Sequence, residues 1–417
     1  MYLLGLIHWQ QCMRFGRLAK AQRGGAVPLK AAYLREVMGR RVYTQIIKAM
    51  EDSRAIACDH VAWINRRCYH FNLGPLFSKR FRECRLTRPR IIKAMHTAEK
   101  ERTTALVGVH AWLKGNLERI VLDQRAFQAA EGVKRPDHAH TLLTAIKHGA
   151  WWYMRDKFGR CHTNLTNINR CLRKYLTVDG DYLISLDISC SQPIILALKM
   201  IGTNIRTCRR LYVPSSYSRI RVSGGVPAAT RVRARHVPLQ PHEQLPRHPH
   251  TLNDVTFSDM EHAAVTWFLK DAERGKLYDR FARHAGRTRA EVKPWVLRAL
   301  YFDPKKWKSR RRLHDAYPVL GDIIDAFPRL YPGVLEYTLQ ARSRDHRKLP
   351  RDIQRDEAYV VYDMICSAIR LQRPETFVAT IHDAILCKPA DAEFVLKIML
   401  RQFRTLGICP TINQQPA

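Results

Sequence analysis

The chain has 417 residues, with 71 Lys and Arg against 37 Asp and Glu, for a formal charge of +34 at pH 7. So large a surplus exceeds what solubility requires and points to a polyanionic partner, nucleic acid before an anionic membrane surface. With 46% hydrophobic and 9% aromatic residues, the chain can build two or three domains and is no disordered basic tail. The longest apolar run near the start, Tyr2–Ile7, falls far short of the ~20 residues of a membrane span and lacks the preceding charge of a secretory signal, which predicts a soluble, cytoplasmic protein with no membrane partner.

Residues 1–98 read as a small basic module. Leu34–Met50 carries Leu34, Val37, Val42, Ile46, Ile47 and Met50 near helical spacing, and Gly39 divides it into two short helices. Ala55–Leu73 then reads as two strands around Asn65-Arg66-Arg67. Helix, turn, helix and hairpin with basic turns resembles a winged-helix DNA-binding arrangement; a helical cap packed on the next domain fits the same pattern equally. Residues 99–155 are expected to be helical, with Leu106, Val109, Trp112, Leu113, Leu117 and Ile120 mostly at three- and four-residue steps. They would make a spacer or a thumb-like clamp over a duplex. The eleven cysteines include no C-x-x-C pair, so reduced, mostly buried thiols are expected rather than a zinc site or a disulfide framework.

Residues 203–250 break the texture of the chain. They hold nine Arg, no Lys, six Pro, four His and one acid, Glu243. A disordered Arg-rich loop on phosphates and a stretch translated out of frame from a GC-rich gene both fit, and the second is slightly favoured because an ordinary amphipathic pattern resumes at Met260.

Two segments on either side deliver carboxylates. Tyr182–Ile188 alternates as a strand, with Tyr182, Ile184, Leu186 and Ile188 on one face, and carries Asp187 to its end. Pro193 then suits the first turn of a helix Ile194–Met200. Phe377–Ile381 and Ile385–Lys388 read as strands flanking His382-Asp383-Ala384, a hairpin with Asp383 at its tip. A helix over about 391–406 follows and stops at Gly407. Between these segments Arg289, Lys293, Leu297 and Tyr301 recur every four residues. On a helix that is a drifting stripe about 18 Å long at ~1.5 Å per residue, with cations at one end and apolar and aromatic groups at the other. Such a stripe can grip a nucleoside triphosphate along its length, although more often it is only the boundary between a solvated and a core-facing side. Pro294 lacks an amide hydrogen, so the helix is expected to start near Lys293 and leave Arg289 in the preceding turn.

D-x-S-x-x-Q at Asp187–Gln192, R-x3-K-x3-L-x3-Y at Arg289–Tyr301 and His382-Asp383, in this order, resemble motifs A, B and C of the family A DNA polymerases and the related single-subunit phage RNA polymerases. Arg173–Asp187 is similar to the lead-in to motif A, Asp352–Ile369 to the Gln-containing helix before motif C, and Gly159–Thr163 to the G-R-x-H-T stretch before the palm. The resemblance covers about 156–403. It implies an α+β fold: a right-hand polymerase palm, an antiparallel sheet with covering helices, plus helical fingers, over residues 156–417 after a mostly helical N-terminal region.

It also implies a set of roles. Asp187 and Asp383 would bind two Mg²⁺ ions, which clamp the attacking and leaving oxygens of an in-line displacement. His382 would support that turn. Arg289 and Lys293 would neutralise the β- and γ-phosphates, Leu297 and Tyr301 would wall the nascent base pair, and Gln192 would stand near the sugar 2′ position. Gln354 and Arg160 would contact template or primer. The function implied is DNA-dependent DNA synthesis on a DNA template and primer from nucleoside triphosphates, in a compact phage or mobile-element enzyme. An RNA polymerase or primase-like activity, and a non-catalytic nucleic-acid-binding descendant, are the alternatives.

Departures bear on the choice. Ala384 stands where the DNA enzymes have Glu and the RNA enzymes commonly Ser, Gln192 replaces the Glu that excludes ribonucleotides, Leu297 is neither the Phe nor the Met usual there, and Phe302 replaces a Gly. Two basic clusters, Lys305–Arg312 and Arg342–Arg351, would either hold phosphates or be solvated faces.

Overall fold

The computed structural model describes residues 3–4, 6–7, 27–39, 42–58, 68–74, 89, 106–206, 259–302 and 310–417. The anomalous segment from 207 onward, the Asn65-Arg66-Arg67 turn and the side chains of the Lys305–Arg312 cluster lie outside the described residues. The fold is α+β, with small antiparallel sheets among many helices. Among the described residues no helix is long and apolar enough to cross a membrane.

In chain order the first elements are β1 (Val27–Lys30), α1 (Ala31–Met38), α2 (Tyr43–Asp52), β2 (Ile56–Cys58) and β3 (Cys68–Leu73). Then come α3 (Gly108–Glu118), β4 (Val121–Leu122), α4 (Arg125–Ala130), α5 (Pro136–Lys147), β5 (Tyr153–Arg155), β6 (Cys161–Thr163), α6 (Asn164–Asn167), β7 (Leu176–Val178), β8 (Asp181–Tyr182) and β9 (Ile184–Ile188). Helices α7 (Ser191–Met200), α8 (Asp259–Glu273), α9 (Leu277–His284), α10 (Arg289–Tyr301), α11 (Arg310–Ala316), α12 (Pro318–Leu330), α13 (Val334–Ala341) and α14 (Lys348–Ala358) follow. After a π-helical stretch, Tyr359–Cys366, the chain ends with α15 (Ser367–Gln372), β10 (Ala379–Ile381), β11 (Ala384–Cys387), α16 (Ala392–Arg404) and β12 (Ile412–Pro416). These elements form two compact units, one of residues 1–189, 357–402 and 411–417, the other of residues 190–356 and 403–410.

In the first unit, the N-terminal strands pair antiparallel in the order β1-β3-β2. Helices α1 and α2 are separated at Gly39, whose φ of 101° suits a residue without Cβ. Leu3, Ile7, Val27, Leu29, Leu34, Tyr43, Ile47, Ile56 and Phe71 make one buried core. On α2, Tyr43 and Ile47 turn inward while Thr44, Gln45 and Lys48 are exposed, the division that a 3.6-residue period imposes on a half-buried helix. The segment expected to be helical over 99–155 contains α3, α4 and α5 but is interrupted by β4, which pairs with β7.

The main sheet of this unit has the order β10-β11-β9-β12, all antiparallel. Ile184, Leu186, Ile188 and the whole of β10 and β11 are buried, so hydrophobic burial on both faces holds it together. The expected single strand Tyr182–Ile188 is divided. Asp179 and Gly180, with φ of 54° and 87°, make a two-residue turn of the primed kind that an Asp-Gly pair favours. That turn pairs β8 with β7, and Tyr182 is 57% exposed instead of sharing the face of Ile184.

The second unit is helical. Phe268, Phe281, Phe327 and Tyr331 pack ring against ring in its core, with centroids 4.7–5.8 Å apart, a spacing that favours edge-to-face and tilted aromatic pairs. Asp271, 4% exposed, is matched there by the Tyr331 hydroxyl, which donates to it at 2.8 Å, and by Arg280 at 2.5 Å. Arg342 is fully buried, donating to the carbonyls of Thr338 and Phe302. It therefore closes the C-terminal end of α10 instead of holding phosphate with its neighbours in the Arg342–Arg351 cluster. Arg344 and Arg347 of that cluster are exposed.

Candidate active site

Asp187 and Asp383 come together through strand register. In the β9–β11 ladder Ala384 lies opposite Asp187, and on the other side of β9 Asn413 of β12 lies opposite the same residue. Asp383, next to Ala384, is thus brought beside the Asp187 carboxylate although 196 positions separate the two in the chain. The β10–β11 hairpin pairs Ile381 with Ala384, which leaves His382 and Asp383 as a two-residue turn. His382 adopts φ 57°, a left-handed conformation costly for a side chain with Cβ and held here by the flanking strands. The hairpin with Asp383 at its tip is therefore present, with β10 starting at Ala379 instead of Phe377.

The electrostatics of the pair are those of crowded anions. The Asp383 carboxyl is pushed up to about 7, first by desolvation, then by the negative charges of Glu357 and Asp187; two carboxylates sharing a site cannot both ionise freely. Glu357 is a functional candidate that the motif pattern leaves out. It is 3% exposed and ion-paired with Arg160. His382 is held below its ordinary range by desolvation and by the positive charges of Arg160 and His162, and its ring stands edge-to-face with that of His162 at 6.4 Å. His162 in turn reaches Asp156 Oδ2 at 3.1 Å.

The residues present suit a hard divalent cation. Carboxylate oxygens are the donors Mg²⁺ takes, and it commonly takes only one or two from protein, leaving the rest to water and phosphates. Among the described residues no group of three or more His, Cys, Asp and Glu side chains is placed to hold a metal ion. Arg160 Nε is buried and finds no acceptor among the described residues.

A pH dependence follows from Asp383. Below about pH 4 its carboxyl is protonated in both folded and unfolded chains; between about 4 and 7 the unfolded chain releases the proton while the folded one keeps it. Stability contributed by this group is thus full at low pH, is lost as pH rises through 7, and is flat above. The metal-free Asp383→Asn protein is expected to melt several degrees higher than wild type at pH 8 and equally at pH 4, with Mg²⁺ narrowing the difference, measured by thermal unfolding in EDTA and in Mg²⁺.

In the second unit the stripe lies on one helix. α10 begins at Arg289, one turn earlier than expected, because Thr288 and Glu291 form a capping box: Thr288 N–H donates to Glu291 Oε2 at 2.9 Å, and Glu291 N–H to Thr288 Oγ1 at 3.4 Å. That cap outweighs Pro294, which is accommodated inside the helix. Thr288→Ala is expected to cost about 1 kcal/mol of stability, read as a lower denaturation midpoint. Val292, Val296, Ala299 and Leu300 are buried, while Arg289 and Lys293 are exposed and Leu297 and Tyr301 half-buried. Arg289 donates to Gly275 O at 2.7 Å and pairs with Asp279 at 2.9 Å. Its guanidinium and the Lys293 ammonium both lie over the Tyr278 ring, 5.5 and 5.7 Å from its centroid. Arg289 and Lys293 thus lie on the outward side of the helix, while Leu297 and Tyr301 turn partly inward and the Tyr301 hydroxyl is buried. Gln192 sits in the first turn of α7 and Gln354 on α14, both half-buried.

No family model matches the chain, and no curated protein matches it. Among solved structures, the chain is similar to the POL domain of Pol1 from M. smegmatis, in a complex with DNA primer-template and dNTP. Identity is 13%, the TM-score 0.32, and the match covers 71% of this chain. The chain spans 56% of that structure's length.

Proposed function

We propose that the chain is a template-directed nucleotidyltransferase in which residues 156–417 act as palm and fingers. The observation that carries this reading is the β9–β11 register, which sets Asp187 beside Asp383 at the end of an antiparallel sheet. Ordered after motif-like segments, that pair has the chemistry of a two-cation phosphoryl-transfer site. Bound Mg²⁺ would supply charge neutralisation and lower the pKa of a primer 3′-hydroxyl.

The chain's own residues do the rest. Asp187 and Asp383 hold the cations, and the rigid two-residue turn at His382 fixes the second of them. Arg289 and Lys293 neutralise the departing phosphates, with the buried Tyr278 ring beneath orienting both heads. Leu297 and Tyr301, further along the same helix, provide the apolar surface for the incoming base, and Gln192 the sugar contact. Gln354 and Arg160 lie against template or primer. The N-terminal module, with the polar face Thr44, Gln45 and Lys48 on the second helix of a helix-turn-helix, acts as a winged-helix-like grip on duplex.

Deoxynucleotides are the favoured substrate. Extension of a primed DNA template in Mg²⁺, with deoxynucleotides and ribonucleotides supplied separately, tests both the activity and the sugar preference.

A further inference from the structure

We propose that Asn413, on the last strand of the main sheet, supplies a neutral oxygen from its side-chain amide to the divalent cation held at Asp187, directly or through a water that the ion carries. The inference rests on reading the Asp187–Asp383 pair as the cation site.

Strand register places the two side chains together. β12 runs antiparallel to β9 with Ile412 opposite Ile188, Asn413 opposite Asp187 and Gln414 opposite Leu186. Directly opposite residues of an antiparallel pair project from the same face, with Cβ atoms about 4.5–5.5 Å apart. Asn413 and Asp187 are therefore side-chain neighbours, whereas Ile412 and Gln414 belong to the other face with the buried Ile188 and Leu186. On the far side of β9, Ala384 offers Asp187 only a methyl group. Of the two cross-strand partners of Asp187, Asn413 alone is polar.

The Asn413 amide is held by one end. Its Nδ2 donates to Ser189 Oγ at 2.7 Å, and Ser189, two residues beyond Asp187, is on that same face of β9. With the nitrogen engaged by Ser189, the other end of the amide is a carbonyl oxygen, a donor that hard cations take alongside carboxylates. Asn413 is exposed and Asp187 half-buried, so the pair lies within reach of a hydrated ion.

The plain alternative is a structural clasp, in which Asn413 only satisfies the Ser189 hydroxyl, 6% exposed. β12 has other fastenings. Beyond its ladder with β9, Ser189 N–H donates to Thr411 O and Ala417 N–H to Leu183 O, each at 3.0 Å, and Arg170 donates to Gln415 Oε1 at 2.5 Å. A clasp also has no reason to lie opposite Asp187, and ion binding would not then distinguish a charge added at position 413 from one added at 414.

The test is binding of Mn²⁺, in place of Mg²⁺, to the full chain without DNA or nucleotide, read by the electron paramagnetic resonance of free Mn²⁺. Asn413→Ala is expected to weaken Mn²⁺ about tenfold. Asn413→Asp, which keeps the shape and adds a charge, should tighten it by about threefold or more. Gln414→Asp adds the same charge on the other face of the strand, where at physiological salt it should change Mn²⁺ affinity by no more than about twofold. The isosteric Asp variant also serves if the Ala variant does not fold. Wild-type Mn²⁺ affinity in folded Asn413→Asp, or equal tightening in Asn413→Asp and Gln414→Asp, with loss in Asp187→Asn and Asp383→Asn, overturns the role of Asn413 and leaves the cation site standing. Unchanged affinity in both of those Asn variants overturns the cation site and the role of Asn413 with it.

Discussion

Asp187→Ala and Asp383→Ala are each expected to lower nucleotide incorporation by at least ~10³-fold, the scale of losing the groups that preorganise charge at a reacting centre. The loss belongs to the chemical step, so binding of primed DNA should be kept, and binding separates the account from a general failure to fold. Strand register sharpens the expectation. Asp187 lies inside a four-stranded ladder, opposite Ala384 and Asn413, where a change to Ala removes the carboxylate but no backbone hydrogen bond. Asp383 sits in the turn next to His382, and there the metal-free protein is relieved of a crowded carboxylate. Asp383→Ala should therefore be inactive yet no less stable than wild type near neutral pH. Loss of activity accompanied by loss of fold would not support the assignment; loss of activity in a protein that melts at or above the wild-type temperature would. Incorporation rates and melting curves of the same preparations give both readings.

Lys293→Ala is expected to lower kcat/KM for the nucleotide by about 10²-fold, equivalent to ~3 kcal/mol of transition-state stabilisation. Two neighbours make the prediction specific. Arg298 lies on the same helix and is also exposed, but its guanidinium is stacked on Trp295 and Tyr317, 5.1 and 4.7 Å from their ring centroids, off the stripe. Arg298→Ala should change kcat/KM by less than threefold. Arg289 shares its charge with Asp279, and an exposed pair of that kind is worth little by itself, so Arg289→Ala should fall between the two. If Lys293 and Arg298 variants lose activity equally, the stripe is only a solvated helix face and the apolar residues Leu297 and Tyr301 have no nucleotide to meet. Steady-state kinetics with varied nucleotide at fixed primed template distinguish these outcomes.

Much of the α+β layout was legible because short-range rules dominate it. The alternation from Ile184 to Ile188, the His382-Asp383 tip between apolar runs and the Gly407 stop all act over a few residues, and the structure follows them, with Ala384 drawn from the tip into the second strand. Two departures carried signals that could have been read. Asp179-Gly180 is a hairpin turn by composition and splits the strand before Ile184; Thr288-x-x-Glu291 is a capping box and starts α10 before Pro294 matters.

The candidate site was half legible. Its aspartates follow from strand and turn patterns, but Glu357 belongs to a helix, and an acid on a helix is usually solvated. The signal for it was position. Ile353, Glu357 and Val361 are spaced by four, so Glu357 interrupts a stripe whose other two members are buried. Arg342 is similar, four residues after Thr338 and eight after Val334 on the buried side of α13. A charge on an apolar stripe must find a partner inside the protein, and that partner, Arg160 for Glu357, lies 197 residues away, where no local pattern reaches.

The most direct measurement is primer extension by the wild-type chain on a primed DNA template with Mg²⁺, deoxynucleotides and ribonucleotides in separate reactions. The account predicts template-directed incorporation that stops in EDTA, favours deoxynucleotides and is absent from Asp187→Ala and Asp383→Ala. Binding of the primed template with no incorporation from either nucleotide pool would contradict it and leave the chain a nucleic-acid-binding protein without this chemistry.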